Sequence, residues 1–104
     1  MLRDEIRREI RTRLEAAFRD RLQGVLLFGS AAREEDHPES DLDLMVLLKE
    51  PVRLGKDLEI IVDALYPVQL TIDAPIHAMP VSTLTFEAGE FGIYRNAKRE
   101  GAFL

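Results

Sequence analysis

The sequence predicts an α+β domain, a short mixed sheet with helices packed on it. Three observations carry that expectation. Residues 3 to about 18 repeat apolar side chains at helical spacing. Two apolar runs of strand length follow, Val25-Leu26-Leu27-Phe28 and Leu42–Leu48. A second helical repeat at Leu54, Leu58, Ile61 and Leu65 then leads into an extended stretch at 75–82.

A chain of 104 residues fits one domain, spanning 1–104, and its 46% hydrophobic content suits a packed globule. Its core is modest in size, so a second copy or a partner covering an apolar face is expected. The absence of cysteine excludes disulfides, thiolate metal sites and a cysteine nucleophile. A charged, helical amino terminus is no signal peptide, and no apolar run reaches membrane-spanning length, so a cytoplasmic location is expected. With 14 basic against 19 acidic residues, a net charge of −5 argues against non-specific nucleic-acid binding. The charge is uneven, with seven arginines in the first 22 positions and six acids between Glu34 and Asp43.

In the first helix Ile6, Ile10, Leu14 and Ala17/Phe18 form one apolar stripe. The other face pairs Asp4 with Arg8, Glu9 with Arg13 and Glu15 with Arg19, acid four residues before base, and reads as a solvated surface. Arg19-Asp20-Arg21 is a connection and Gln23-Gly24 ends the unit. The strand Val25-Leu26-Leu27-Phe28 runs into Gly29-Ser30, where a helical turn through Ala31-Ala32-Arg33 is expected. The segment His37-Pro38-Glu39-Ser40 is loop. Leu42–Leu48 is apolar on both faces, as in a central strand, and Lys49-Glu50-Pro51 breaks it. The second helix is expected to stop at Tyr66-Pro67. The stretch from Val68 to Val81 reads as strand with interruptions, Val68-Gln69-Leu70-Thr71-Ile72 and then 75–82. Ser82 caps a short helix, Gly89-Glu90-Phe91-Gly92 turns, and a last helix runs over 93–100 until Gly101. Phe91 and Tyr94 read as packing aromatics.

The chemistry gathers at Gly29-Ser30 and at Asp41-Leu42-Asp43, ten residues further on. Strand side chains alternate, so Asp41 and Asp43 must point the same way. Two like charges side by side repel, and a divalent cation relieves that. The Gly-Ser bend offers N–H groups and a hydroxyl to phosphate oxygens, with Ser30 also suited to be a helix N-cap. Arg33 either reaches a phosphate or pairs with Glu34, Glu35 or Asp36. A metal–nucleotide site is the expectation. The cation belongs to the substrate, since the acidic loop would repel a bare triphosphate.

Phe28-Gly29-Ser30, ten residues, then Asp41-Leu42-Asp43 resembles the hG[GS]…Dh[DE]h signature of the DNA polymerase β-like nucleotidyltransferase superfamily. The short chain, with Ala32-Arg33 and Ser40-Asp41, looks like its minimal, MNT-type branch. The resemblance implies a palm-like nucleotidyltransferase domain. In it Asp41 and Asp43 are catalytic and hold Mg²⁺, with Mn²⁺ as a substitute, while Gly29, Ser30 and Arg33 bind the nucleotide. It implies transfer of AMP from ATP to an acceptor hydroxyl. MNT-type proteins often act as antitoxins beside a helical HEPN-type toxin, and some modify a tyrosine of that partner. Ala31 and Glu34 depart from the family's usual basic residue and glycine. Many members add a third carboxylate, for which this chain offers two uncomfortable positions. Asp73 stands before Ala74-Pro75, where a loop is expected, and His77 occupies the third-strand position where Asp is usual. A weakened module that neutralises a partner by contact is therefore the competing expectation, and a structural Ca²⁺ site the last.

Overall fold

The computed structural model of the protein describes residues 3–29, 41–89 and 91–104. Ser30, the turn expected after it with Arg33, and the loop at 37–40 lie outside the described residues, as does Glu90. The elements are α1 (Asp4–Phe18), β1 (Leu22–Phe28), β2 (Leu42–Leu48), α2 (Leu54–Gln69), β3 (Ile76–Ser82), α3 (Thr83–Ala88), α4 (Gly92–Glu100) and β4 (Ala102–Phe103). A short 3-10 turn, Arg19–Arg21, joins α1 to β1.

The strands form one sheet in the order β3-β2-β1-β4. β1 runs antiparallel to β2 and β4, whereas β2 and β3 are parallel. A parallel pair needs a crossover, and α2 supplies it. β2 is buried along nearly its whole length because helices cover both of its faces. On one face Val25, Leu27, Leu42, Leu44, Val46 and Leu48 meet Ile6, Ile10, Leu14 and Phe18 of α1 and Ile61, Leu65 and Val68 of α2. On the other, Leu26, Met45, Leu47 and Val81 pack with Phe86 of α3 and Ala97 of α4. Tyr94 packs against this second cluster as expected and meets Phe91 edge-on at 5.6 Å between ring centroids, whereas Phe91, expected to pack, is left exposed.

Several expectations need correction. β1 starts at Leu22, not Val25, and absorbs Gln23-Gly24 through a register shift between Leu22 and Gly24. Bare Gly24 lets the Phe103 ring of β4 lie close, since a β-carbon there would be 3.3 Å from that ring. α2 does not stop at Tyr66-Pro67 but continues to Gln69. Pro67 forfeits one hydrogen bond near the helix end, while fully buried Val68 holds the next residue against the sheet. Val68-Gln69-Leu70-Thr71-Ile72 is therefore a helix end and turn, closed by the Thr71 N–H and hydroxyl donating to the Val68 carbonyl at 2.9 and 2.8 Å. The buried stripe of α2 is Asp57, Ile61, Leu65 and Val68, leaving Leu54 and Leu58 exposed. In α1 the stripe ends on Phe18 while Ala17 is exposed. Ser82 precedes α3 but makes no capping bond, and its buried hydroxyl has no partner among the described residues.

Two polar clamps set how α2 meets the sheet. Arg21 donates to both carboxylate oxygens of buried Asp57, at 3.0 and 2.9 Å, and to the Pro51 carbonyl at 2.9 Å. Asp57 also accepts from the Arg53 N–H at 3.0 Å, capping α2 from within its first turn. At the other end Gln69 donates to the Ala74 carbonyl at 2.9 Å and accepts from the Ile76 N–H at 2.8 Å. That second clamp locates the start of β3, and with it His77.

Candidate functional site

Register brings the site residues together. Phe28, the last residue of β1, is the antiparallel partner of Asp43. Asp43 is in turn aligned with His77 on parallel β3. The end of β1 and the beginnings of β2 and β3 thus share one rim, as expected for the glycine bend and the carboxylate pair. Asp41 stands just ahead of β2, and its Oδ2 lies 3.0 Å from Nε2 of His77. Since His77 is the ladder neighbour of Asp43, both aspartates face the same side.

Gly29 has φ 78°, a left-handed conformation that glycine adopts without cost. A β-carbon there would sit 2.6 Å from Oδ2 of Asp43. The bend therefore touches the carboxylate directly, and a side chain at 29 would crowd Asp43 itself. Burial pushes the Asp43 carboxyl above the usual carboxylate range. Nearby His77 opposes that shift and the Asp41 charge adds to it. The Asp43 shift is thus chiefly a burial effect, with its like-charge neighbour the smallest of the three causes.

Asp73 lies in the exposed bend ahead of β3, off the ladder. Of the two third-strand residues, His77 is the one aligned with Asp43. Among the described residues no three His, Cys, Asp or Glu side chains form a ready-made metal cluster. The donor chemistry nevertheless suits a cation held together with a substrate. Mg²⁺ in nucleotide sites takes one or two carboxylates and completes its shell with phosphate oxygens and water. Asp41 Oδ2 and His77 Nε2 lie 3.0 Å apart, an ion-pair distance that brings a carboxylate and an imidazole donor to one point.

One feature of the site escaped sequence reasoning. A groove of about 620 Å³ opens from Asp43 and His77 along β3, the sheet's edge among the described residues. Its walls include Phe28, Leu58, Val62, Tyr66, Met79 and Ile93. The signal was present along α2 and its C-cap, where Leu58, Val62, Tyr66 and Leu70 recur every four residues as a second apolar row. That row lies beside the buried one and is left exposed.

A sheet of this order with paired aspartates facing a glycine bend defines a nucleotidyltransferase-type fold. Residues 5–101 match the family model described as a nucleotidyltransferase domain, and the chain belongs to that family. A relative in Methanocaldococcus jannaschii, named "Putative protein adenylyltransferase", is 39% identical over 57 residues. That match spans 55% of this chain and 58% of the relative, little more than half of each. A crystal structure titled as a putative nucleotidyltransferase from Sulfolobus solfataricus superposes with TM-score 0.64 at 17% identity, covering 95% of this chain and 76% of the other. A toxin–antitoxin structure with AMP-PNP matches equally at TM-score 0.64 and 18% identity, covering 93% and 70%. At such identities the two structures speak for the fold.

Among the described residues no helix is long and apolar enough to cross a membrane.

Proposed function

We propose that the protein transfers the AMP group of ATP to a hydroxyl on a partner protein, a tyrosine of a helical HEPN-type toxin, and so acts as its antitoxin. The observation that supports this reading best is the rim where Asp41, Asp43 and His77 converge beside Gly29. The adenylyltransferase named among its relatives and the toxin–antitoxin fold neighbour favour this chemistry and setting.

In this reading Asp41 and Asp43 hold a divalent cation, Mg²⁺ or Mn²⁺, together with triphosphate oxygens. Once bound, the ion neutralises charge on the phosphates and on the leaving group. Gly29, lacking a side chain, lets the backbone approach the phosphates, and Ser30 and Arg33 follow it in the chain as further phosphate-binding residues. The acceptor oxygen bonds to the α-phosphorus, the bond to the β-phosphate oxygen breaks, and pyrophosphate leaves. The acceptor hydroxyl gives up its proton to solvent water, which reaches the exposed rim. The groove walled by Tyr66, Val62 and Met79 borders the rim and offers an apolar surface for the acceptor protein to rest on.

Labelled ATP, Mg²⁺ and the candidate helical partner test this directly. Label on a partner tyrosine, lost with Asp41→Asn or Asp43→Asn, is the expected result. A stable unlabelled complex would favour the second reading, neutralisation by contact, for which the absence of a third carboxylate at position 77 is the motivating observation.

A further inference from the structure

We infer that His77 is a metal-ligating residue and that it biases the rim toward first-row transition ions such as Mn²⁺ over Mg²⁺. This deepens the cation-site reading above and rests on it.

Four observations converge on His77. The β2–β3 ladder aligns it with Asp43, which places an imidazole at the same level of the rim as the carboxylate. Its Nε2 meets Asp41 Oδ2 at 3.0 Å, so the imidazole and the carboxylate reach the same point of the rim. Both side chains are open to solvent, 61% exposed for His77 and 52% for Asp41, so an arriving ion has direct access to both. The Gln69 clamp on the Ile76 N–H, one residue before His77, fixes the backbone that carries the ring.

The donor set then decides the ion. Mg²⁺ is hard, takes oxygen and dehydrates reluctantly, so a neutral imidazole adds little to its binding. Manganese, iron, cobalt and zinc accept imidazole nitrogen readily, with affinity rising along the series. An imidazole instead of a third carboxylate also withholds one negative charge. That lowers the rim's electrostatic attraction for any divalent ion and leaves nitrogen bonding as the discriminating contribution. The bland alternative is a solvent-exposed Asp41–His77 pair with no ligand in common, a contact worth little by itself.

The test uses the full chain and Mn²⁺ itself. Binding is followed by the loss of the free-ion electron paramagnetic resonance signal, with Mg²⁺ measured by competition. Pulsed resonance then reads whether a nitrogen is bonded to the manganese. Wild type should bind Mn²⁺ at least about tenfold more tightly than Mg²⁺ and show nitrogen coupling. His77→Asp should abolish the coupling and narrow the Mn²⁺/Mg²⁺ ratio toward Mg²⁺. His77→Ala should weaken Mn²⁺ while leaving Mg²⁺ nearly unchanged, and the exposure of the ring makes its melting temperature a fair control for folding. Bound manganese without nitrogen coupling, or His77→Ala with wild-type Mn²⁺ affinity, would overturn the role of His77 alone. Manganese binding that survives joint Asp41→Asn and Asp43→Asn substitution would instead remove the cation site on which the inference stands.

Discussion

The Gly29 α-carbon rests against the Asp43 carboxylate, so closely that an added β-carbon would lie 2.6 Å from Oδ2. Glycine at the bend thus serves the carboxylate as well as the turn. Gly29→Ala meets two penalties together, a φ of 78° that an L side chain resists and a displaced Asp43. Backbone strain alone costs about 1–2 kcal/mol. The expected outcome is a lower melting temperature, by roughly 4–8 °C per kcal/mol for a domain of this size, with nucleotidyl transfer lost beyond what the stability change explains. Thermal melts and label transfer on the same preparation check both.

Asp43→Asn should separate function from stability. Burial holds the Asp43 carboxyl above its ordinary range, so the folded state binds its proton more readily than the unfolded chain does. The ionised group therefore destabilises the fold at neutral pH, and the penalty fades as pH falls through the folded value toward the unfolded one of about 3.9. In chelator at pH 7 the variant should melt at or above the wild-type temperature, with that advantage gone near pH 4. Metal-dependent transfer should fall by about 100-fold or more. An Asp43→Asn protein that transfers label normally would exclude Asp43 from the reaction.

Arg21→Ala should cost stability far from the site. It leaves Asp57, which has a side chain only 3% exposed, without its bidentate partner. Removing one member of a fully buried pair costs about 3–5 kcal/mol. Because the Arg21 side chain is 36% exposed, solvent screening reduces this to roughly 2–3 kcal/mol. The Arg21 guanidinium holds the Asp57 carboxyl below its usual range. The stabilisation is therefore complete above the unfolded value of about 3.9 and is lost as pH falls through the folded one. Denaturant titrations should show a gap between wild type and variant that is constant near neutrality and narrows below about pH 4.

Two glycine-to-alanine substitutions should act in opposite directions. At Gly55 in α2 a β-carbon meets nothing within 4 Å, so alanine's better helix propensity should stabilise by about 0.5–1 kcal/mol. At Gly101 it would lie 2.6 Å from the Ala97 carbonyl and 2.9 Å from Leu26. Gly101→Ala should therefore destabilise the protein and loosen β4. Hydrogen exchange at the Leu104 N–H, which donates to the Val25 carbonyl at 2.9 Å, would report that loosening.

Much of this protein was legible along the chain because the determining forces are local. The period of Ile6, Ile10, Leu14 and Phe18 sets a helix with one buried face. The unbroken apolar run of β2 requires cover on both sides. A D-x-D at a strand's start puts both carboxylates on one side whatever packs around them. The spacing from Phe28-Gly29-Ser30 to Asp41-Leu42-Asp43 carried the family resemblance, and residues 5–101 match that family.

What resisted reading depended on contacts between segments distant in sequence. Local signals stop a helix at Tyr66-Pro67, yet burial of Val68 carries it to Gln69. The two residues of β4 are too short for any periodic signal and exist because β1 offers them an edge. No local signal marks Asp57 as buried; its partner Arg21 stands 36 positions away and meets it across the half-buried edge of α2. The sequence already put Asp73 in a loop and His77 at the third-strand position. Only the parallel register of β3 on β2 paired the imidazole with Asp43 in particular. Alternation along a strand chooses the side a carboxylate faces, but its neighbour across the ladder is chosen by how two strands and the helix between them pack.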